Sequence, residues 1–320
     1  MIEKTLGKHG PMVSCIGFGG WGIGGKTPGN SSYGKTDNNQ SIRTIKHAYR
    51  NNIIFFDTSP AYGDGVSESL IGEALEEKRE KVIYSTKVGF SSWEEGANFN
   101  SKSVYMSLEA SLKRLRTNYI DVLWLHSPPG DIIFKDKSIF ELLDDLKEKN
   151  IIKQWGVSCK SPDEGLQLLK ERNIDLLQIN FNMMDIRAYQ LGLLDLAYKK
   201  GVGIVARTPL CFGFLTGKIT QNTIFPEGDH RHNWSSNQIK TWVNGAESIL
   251  SLLGINPGAE ACKAALKFCL SFPSICVVLP GSLFENEVDE QVQAGIEGAM
   301  DVSDLSKIIK LHDRISFYNP

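Results

Sequence analysis

The sequence predicts a closed (β/α)8 barrel of the TIM type, formed as a single domain over residues 1–320, and three observations lead there. Short apolar runs recur eight times, at 14–17, 53–56, 82–86, 121–125, 151–157, 175–179, 202–206 and 275–279. They lack the period-2 alternation of a half-solvated sheet, so they read as parallel strands covered on both faces. Helical patterns alternate with them along the chain, and no linker, low-complexity tract or change of composition divides the 320 residues, a length that suits a barrel of about 250 residues plus insertions. A doubly wound open sheet is the rival arrangement for the same alternation.

Taken in order, 1–13 precedes the first run and 14–17 is the first strand. Helices follow at 37–51, 67–78, 101–116, 138–149, 161–172, 188–200, 258–272 and 286–299, each bounded by Ser, Asp, Asn or Gly signals. The one long insertion, about 218–245, is polar and Trp-bearing and follows the seventh strand, so it is expected to be a functional loop or lid.

Composition limits the partners. With a net charge of −2 there is no basic field to hold nucleic acid or an anionic membrane surface, which leaves a small molecule. No run is apolar and long enough to span a bilayer, and the first residues carry no signal-peptide pattern, so a cytoplasmic protein is expected. The six cysteines, Cys15, Cys159, Cys211, Cys262, Cys269 and Cys276, form no C-x-x-C pair and read as buried thiols. Asp229-His230-x-His232 has no third or fourth ligand nearby, and no metal is expected.

One motif misleads. Gly17 to Gly22 spells G-x-G-x-x-G after a strand, but a phosphate-binding turn must open a helix, and here the chain continues into a further Gly- and Pro-bearing stretch. No acid ends a strand some 20 residues on. The segment reads instead as a glycine-rich barrel mouth where a ligand approaches the backbone.

Chemistry in such barrels sits at the carboxyl ends of the strands. Four polar residues stand there: Asp57 ends the second strand, Tyr62 follows in its loop, Lys87 ends the third and His126 the fourth. A free phenol, with an ordinary pKa of about 10, is a poor proton donor near neutrality. A cation about 4 Å away, at an effective dielectric of about 20, favours a phenolate by roughly 4 kcal/mol. Lys87 supplies that cation, Asp57 keeps it charged in a desolvated pocket, and His126 orients a carbonyl or relays the proton while a hydride arrives from a cofactor.

Those residues lie in segments that resemble the aldo-keto reductases, across almost the whole chain. The first residues, with Leu6-Gly7 and Val13 to Gly19, look like the family's hairpin plug and first strand. Phe56 to Gly63 with Ser67-Glu68 looks like its D-T-A-x-x-Y-G segment, and Ser85-Thr86-Lys87 and Leu125-His126 match the next two. The resemblance implies a (β/α)8 barrel with an N-terminal hairpin plug and a C-terminal helix, and an NAD(P)H-dependent reductase in which Tyr62 is the general acid. Further matches are Gly156-Val157-Ser158, the segment around Gln178, Arg207 to Leu210, and Gly213 to Lys218. It implies cofactor contacts from Gly20, Trp21, Ser158, Gln178, Arg207, Pro209, Leu210, Gly213, Leu215, Gly217, Lys218, Arg231, Gly281, Glu287 and Gln291. Phe225-x-x-x-Asp229-x-Arg231 resembles a flap over the cofactor.

Departures from the family pattern carry information too. Cys159 stands where many members have Asn, and Arg207 where many have a stacking tyrosine. After the last strand, Leu283 and Glu287 replace basic residues that face the 2′-phosphate of NADP; a carboxylate there repels that phosphate and accepts from a free ribose hydroxyl, so NADH is favoured over NADPH. The expected activity is reduction of an aldehyde or ketone, sugar-derived carbonyls included. The alternatives are an NAD-dependent polyol or hydroxysugar dehydrogenase and a non-catalytic cofactor-binding regulatory subunit.

Overall fold

The computed structural model describes residues 1–27, 32–90, 94 and 96–317. Eight parallel strands run in sequence order around a barrel: β3 (Phe18–Gly19), β4 (Phe55–Asp57), β5 (Ile83–Val88), β6 (Ile120–His126), β7 (Ile152–Ser158), β8 (Leu176–Asn180), β9 (Gly203–Arg207) and β10 (Ile275–Leu279). Bridges from Ile16 to Val278 and from Gly19 to Gly281 join the last strand to the first. The stretch expected as one strand at 14–17 divides instead. Met12–Ser14 (β2) pairs antiparallel with Glu3–Thr5 (β1), and the barrel strand begins only at Phe18. The hairpin inserts Leu6 and Val13 into the barrel's inner cluster, beside Leu176, Val205 and Val277.

Strand period decides which side chains enter the barrel. Phe55, Ile83, Val122, Trp124, Leu176 and Val205 pack inside it, while their neighbours Phe56, Tyr84, Leu123, Leu125, Leu177 and Ile204 pack under the helices. The same alternation turns Asp57, Ser85, Lys87 and His126 inward. Gly156 is a glycine for a steric reason: a Cβ there would stand 2.7 Å from the Trp124 ring and 2.3 Å from the Leu176 carbonyl oxygen.

The helices over the barrel are α1 (Asn38–Arg50), α2 (Val66–Leu75), α3 (Ser101–Arg114), α4 (Gly130–Phe134), α5 (Ser138–Glu148), α6 (Pro162–Glu171), α7 (Arg187–Gln190), α8 (Leu193–Lys200), α9 (Ser236–Leu253), α10 (Ala259–Leu270), α11 (Glu285–Glu297) and α12 (Val302–Leu311). Asp37, Ser161 and Ser235 cap their helices by accepting from the amides of Gln40, Glu164 and Gln238. The helix expected at 188–200 breaks in two where Gly192 adopts φ 73°. The stretch expected as a loop over 218–245 is helical from Ser236 onward, because Trp242, Val243, Ala246, Ile249 and Leu250 give α9 a buried face that its polar start conceals. All six cysteines are buried. Among the described residues no helix is long and apolar enough to cross a membrane.

Candidate active site

The four strand-end residues converge. Lys87, 1% exposed, donates from Nζ to Asp57 Oδ2 at 2.5 Å and to the Thr58 carbonyl at 2.8 Å. The same nitrogen lies 4.8 Å from the centre of the Tyr62 ring. His126 meets Tyr62 edge to face, with ring centres 6.1 Å apart, and its Nδ1 stands 3.4 Å from the Ser59 hydroxyl.

Electrostatics assigns charges to the group. Burial alone would lower the Lys87 pKa, but the attraction of Asp57 and the bonds to Asp57 and Tyr62 outweigh it, so the net direction is upward and the ammonium persists. His126 moves the other way. Its burial, then the positive charges of Lys87 and Arg207, push it well below the ordinary histidine range. A neutral imidazole therefore faces the phenol, with one N–H to donate and one lone pair to accept.

Polar residues continue around the mouth. Ser158 Oγ donates to Gln178 Oε1 at 2.9 Å, and Gln178 Nε2 donates to Asp57 Oδ1 at 3.1 Å. Arg207 is anchored on Asn180 Oδ1 at 2.5 Å and on the carbonyl of Cys159 at 3.0 Å. Cys159 thus contributes its backbone to the site, and its thiol is pushed up to about 12 by burial.

From this mouth a cavity of about 610 Å³ extends past the barrel rim to α11. Its lining includes Asp57, Tyr62 and His126 and, of the cofactor set, Gly20, Trp21, Ser158, Gln178, Arg207, Pro209, Leu210, Gly213, Lys218, Arg231, Gly281, Glu287 and Gln291. Leu215 and Gly217 do not line it. Leu215 is fully buried in the hydrophobic core, and Gly217 ends its turn with φ 68°, where a Cβ would meet Leu250 and Pro257. Leu215 lies within the 3-10 turn Cys211–Thr216 and Gly217 caps it, and the curl of the turn carries both away from the wall.

Two expected contacts are already engaged within the protein. Arg231 forms a two-pronged pair with Asp229, at 3.0 and 2.6 Å, and donates to the Phe212 carbonyl at 2.9 Å, so much of its charge is matched. Glu287 Oε2 accepts from the amides of Leu283 and Phe284 at 2.7 and 3.2 Å, which fixes the start of α11. Gln291 braces the preceding turn, accepting from Ser282 and donating to the Gly281 carbonyl.

Sequence reasoning missed other wall residues. Tyr33, Thr208, Phe212, Cys262 and Glu290 line the cavity. Glu290 had a signal, since it stands one turn beyond Glu287 on the same helix. Thr208 lay inside the matched Arg207 to Leu210 segment but was not singled out, and Phe212 had no signal; both hold left-handed backbone, φ 60° and 55°, which tertiary contacts impose on such residues.

The lining fits a nicotinamide dinucleotide. Glycine backbone at 19, 20, 22, 213 and 281 gives an extended ligand close approach, and a Cβ on Gly22 would meet Leu283 at 3.3 Å. Amide, hydroxyl and cationic donors, from Gln178, Ser158, Arg207 and Lys218, stand along it.

A closed barrel whose open end joins a buried acid, amine and neutral imidazole and a half-buried phenol to such a cavity defines a nicotinamide-dependent oxidoreductase. The family model of the aldo/keto reductases matches residues 15–312, and the chain belongs to that family. It is 30% identical to aldo-keto reductase YhdN of Bacillus subtilis, over 88% of this chain and 85% of the relative. It is 31% identical to the NADH-specific methylglyoxal reductase of Escherichia coli, over 92% and 93%. The structure of aldo-keto reductase AKR11C1 from Bacillus halodurans, in its holo form, superposes with a TM-score of 0.78 at 25% identity, covering 97% of this chain and 96% of the other. The protein is thus an NAD(P)H-dependent oxidoreductase of carbonyl or sugar-like substrates.

Proposed function

We propose that the chain reduces an aldehyde or ketone to an alcohol, with Tyr62 as the proton donor. The observation that carries this reading is the ion pair of Lys87 and Asp57 directly beneath the Tyr62 ring, with a neutral His126 on its flank. When bound, the reduced nicotinamide supplies the hydride. The chain's own residues do the rest. His126 donates a hydrogen bond to the substrate carbonyl and orients it, and Tyr62 releases its proton to the oxygen as negative charge develops there. Lys87 stabilises the phenolate left behind, and Asp57 holds Lys87 protonated.

In this reading Ser158 and Gln178 would hold the carboxamide, Arg207 would contact the nicotinamide ring, and Lys218 would contact the pyrophosphate of a bound cofactor. Substrate and nicotinamide would share the barrel mouth, where the water they displace would strengthen each of these interactions. The test is label transfer. Wild-type enzyme given nicotinamide deuterated at the transferable position should place deuterium on the alcohol carbon of a short aldehyde, read by mass spectrometry. Unlabelled alcohol, or none from a panel of short aldehydes and hydroxyketones, would sink the proposal.

NADH is the preferred cofactor in this reading. Glu287 and Glu290 line the far end of the cavity on one face of α11, and Leu283 supplies no charge, so a 2′-phosphate meets repulsion where a ribose hydroxyl meets acceptors. The name of the E. coli relative, an NADH-specific enzyme, points the same way. In fluorescence titrations Glu287→Lys is expected to tighten NADPH about tenfold or more relative to NADH. Because the substitution also removes the cap of α11, the ratio of the two affinities is the readout; an unchanged ratio refutes the preference.

A further inference from the structure

We propose that Ser85 and Trp124 are positioning residues for the Asp57–Lys87 pair, joined to it by a one-way chain of hydrogen bonds through the barrel interior. The inference rests on the proton-donor reading of Tyr62. Trp124 Nε1 lies 2.7 Å from Ser85 Oγ, and Ser85 Oγ lies 2.8 Å from Asp57 Oδ1. Trp124 and Ser85 are fully buried and Asp57 is 4% exposed.

The chemistry of the groups sets the direction of the chain. An indole N–H only donates, so Ser85 Oγ accepts from Trp124. The serine's single hydrogen is then directed to Asp57 Oδ1, which as a carboxylate oxygen only accepts. Without the indole, the hydroxyl is free to rotate away.

Strand register builds the chain. Ser85 is the β5 partner of Asp57 on β4, and Trp124 is the β6 partner of Lys87 on β5, so all four project from adjacent strands. The missing side chain of Gly156 gives the indole its space. Trp124 is among the largest fully buried side chains, which makes it a rigid anchor.

The chain divides the work of the carboxylate. Oδ1 accepts from two neutral donors, Ser85 and Gln178, and Oδ2 accepts from Lys87. With Oδ1 saturated, the carboxylate offers Lys87 one oxygen. Lys87 has three N–H groups; Asp57 and the Thr58 carbonyl take two, and the third is left for Tyr62. If Ser85 no longer holds Oδ1, only the longer bond from Gln178 restrains it, and the carboxylate can turn toward Nζ with both oxygens and draw that third proton away from the phenol.

The experiment compares Ser85→Ala, Trp124→Phe and the double variant, measuring kcat, cofactor affinity by fluorescence and thermal unfolding. Each single change is expected to lower kcat about tenfold, the scale of a hydrogen bond to a charged group, with cofactor affinity within about twofold of wild type. Because Trp124 acts through Ser85, the double variant should be no slower than Ser85→Ala alone. A merely structural role for the tryptophan predicts instead that the two losses multiply, and that result overturns the proposal. So does wild-type turnover in Ser85→Ala. If Trp124→Phe does not fold, Ser85→Cys takes its place: a weaker donor of similar shape is expected to fall between serine and alanine, and turnover equal to wild type or below alanine refutes the chain. Turnover that survives in Tyr62→Phe would refute the underlying reading, whereas inactive Tyr62→Phe beside fully active Ser85→Ala refutes the donor chain alone.

Discussion

Tyr62→Phe is expected to lower kcat for carbonyl reduction by about 1,000-fold, in the middle of the range for removal of a positioned proton donor. The substitution deletes one oxygen and leaves the ring, which keeps its edge-to-face contact with His126 and its place near Trp21. Cofactor affinity should therefore hold within about twofold, because none of the proposed cofactor donors is touched. That split between an intact binding step and a lost chemical step separates the proton-donor role from packing. Steady-state kinetics beside fluorescence titration make the measurement. Turnover within about tenfold of wild type would transfer the donor role to another group, with Lys87 and His126 the candidates beside the ring.

Lys87→Met should cost both activity and stability. Methionine keeps much of the length of the side chain but removes the ammonium, leaving a nearly inaccessible Asp57 carboxylate with Ser85 and Gln178 as its side-chain donors among the described residues. Removing one partner of a buried pair typically costs about 3–5 kcal/mol, through the uncompensated charge that remains. Urea unfolding should show a loss of that order, and kcat should fall by about 1,000-fold or more. The double variant Asp57→Asn with Lys87→Met removes both charges and should regain much of the stability while staying inactive. Recovery of turnover in the double variant would show that Lys87 serves the fold and not the chemistry. Equal stability of wild type and Lys87→Met would show that the pair is far better solvated than its geometry indicates.

The two variants probe residues that were legible for a simple reason. Asp57, Lys87 and His126 sit at or beside strand ends, where a polar residue after an apolar run is conspicuous, and Tyr62 lies in the loop directly after one of them. Ser85 and Trp124 were not legible as functional residues. One lies within a strand as an ordinary small polar residue, and the other reads as core, and only the pairing of β4, β5 and β6 brings their polar atoms to Asp57. The cofactor set divides along the same line. Residues at strand ends and in the turn after β10 line the cavity, whereas Leu215 and Gly217, inferred from a contiguous motif, are carried out of it by a 3-10 turn with left-handed residues at Phe212 and Gly213. Glu287 was expected to face a ribose hydroxyl, and the structure adds that one of its oxygens is committed to the backbone at the start of α11.

The alternation of strands and helices and the four polar groups at the barrel mouth came from the sequence by itself; which side chains of each strand face inward did not. The alternation and the polar groups depend on local period and on the character of single residues, both of which are properties of short stretches of chain. Closure of the barrel decided the rest: which polar atoms lie within bonding distance, which glycines admit a neighbour's ring, and how a helix hides inside a polar insertion. Those outcomes depend on distances between segments far apart in the chain, set by strand register around the ring, and no local pattern encodes them.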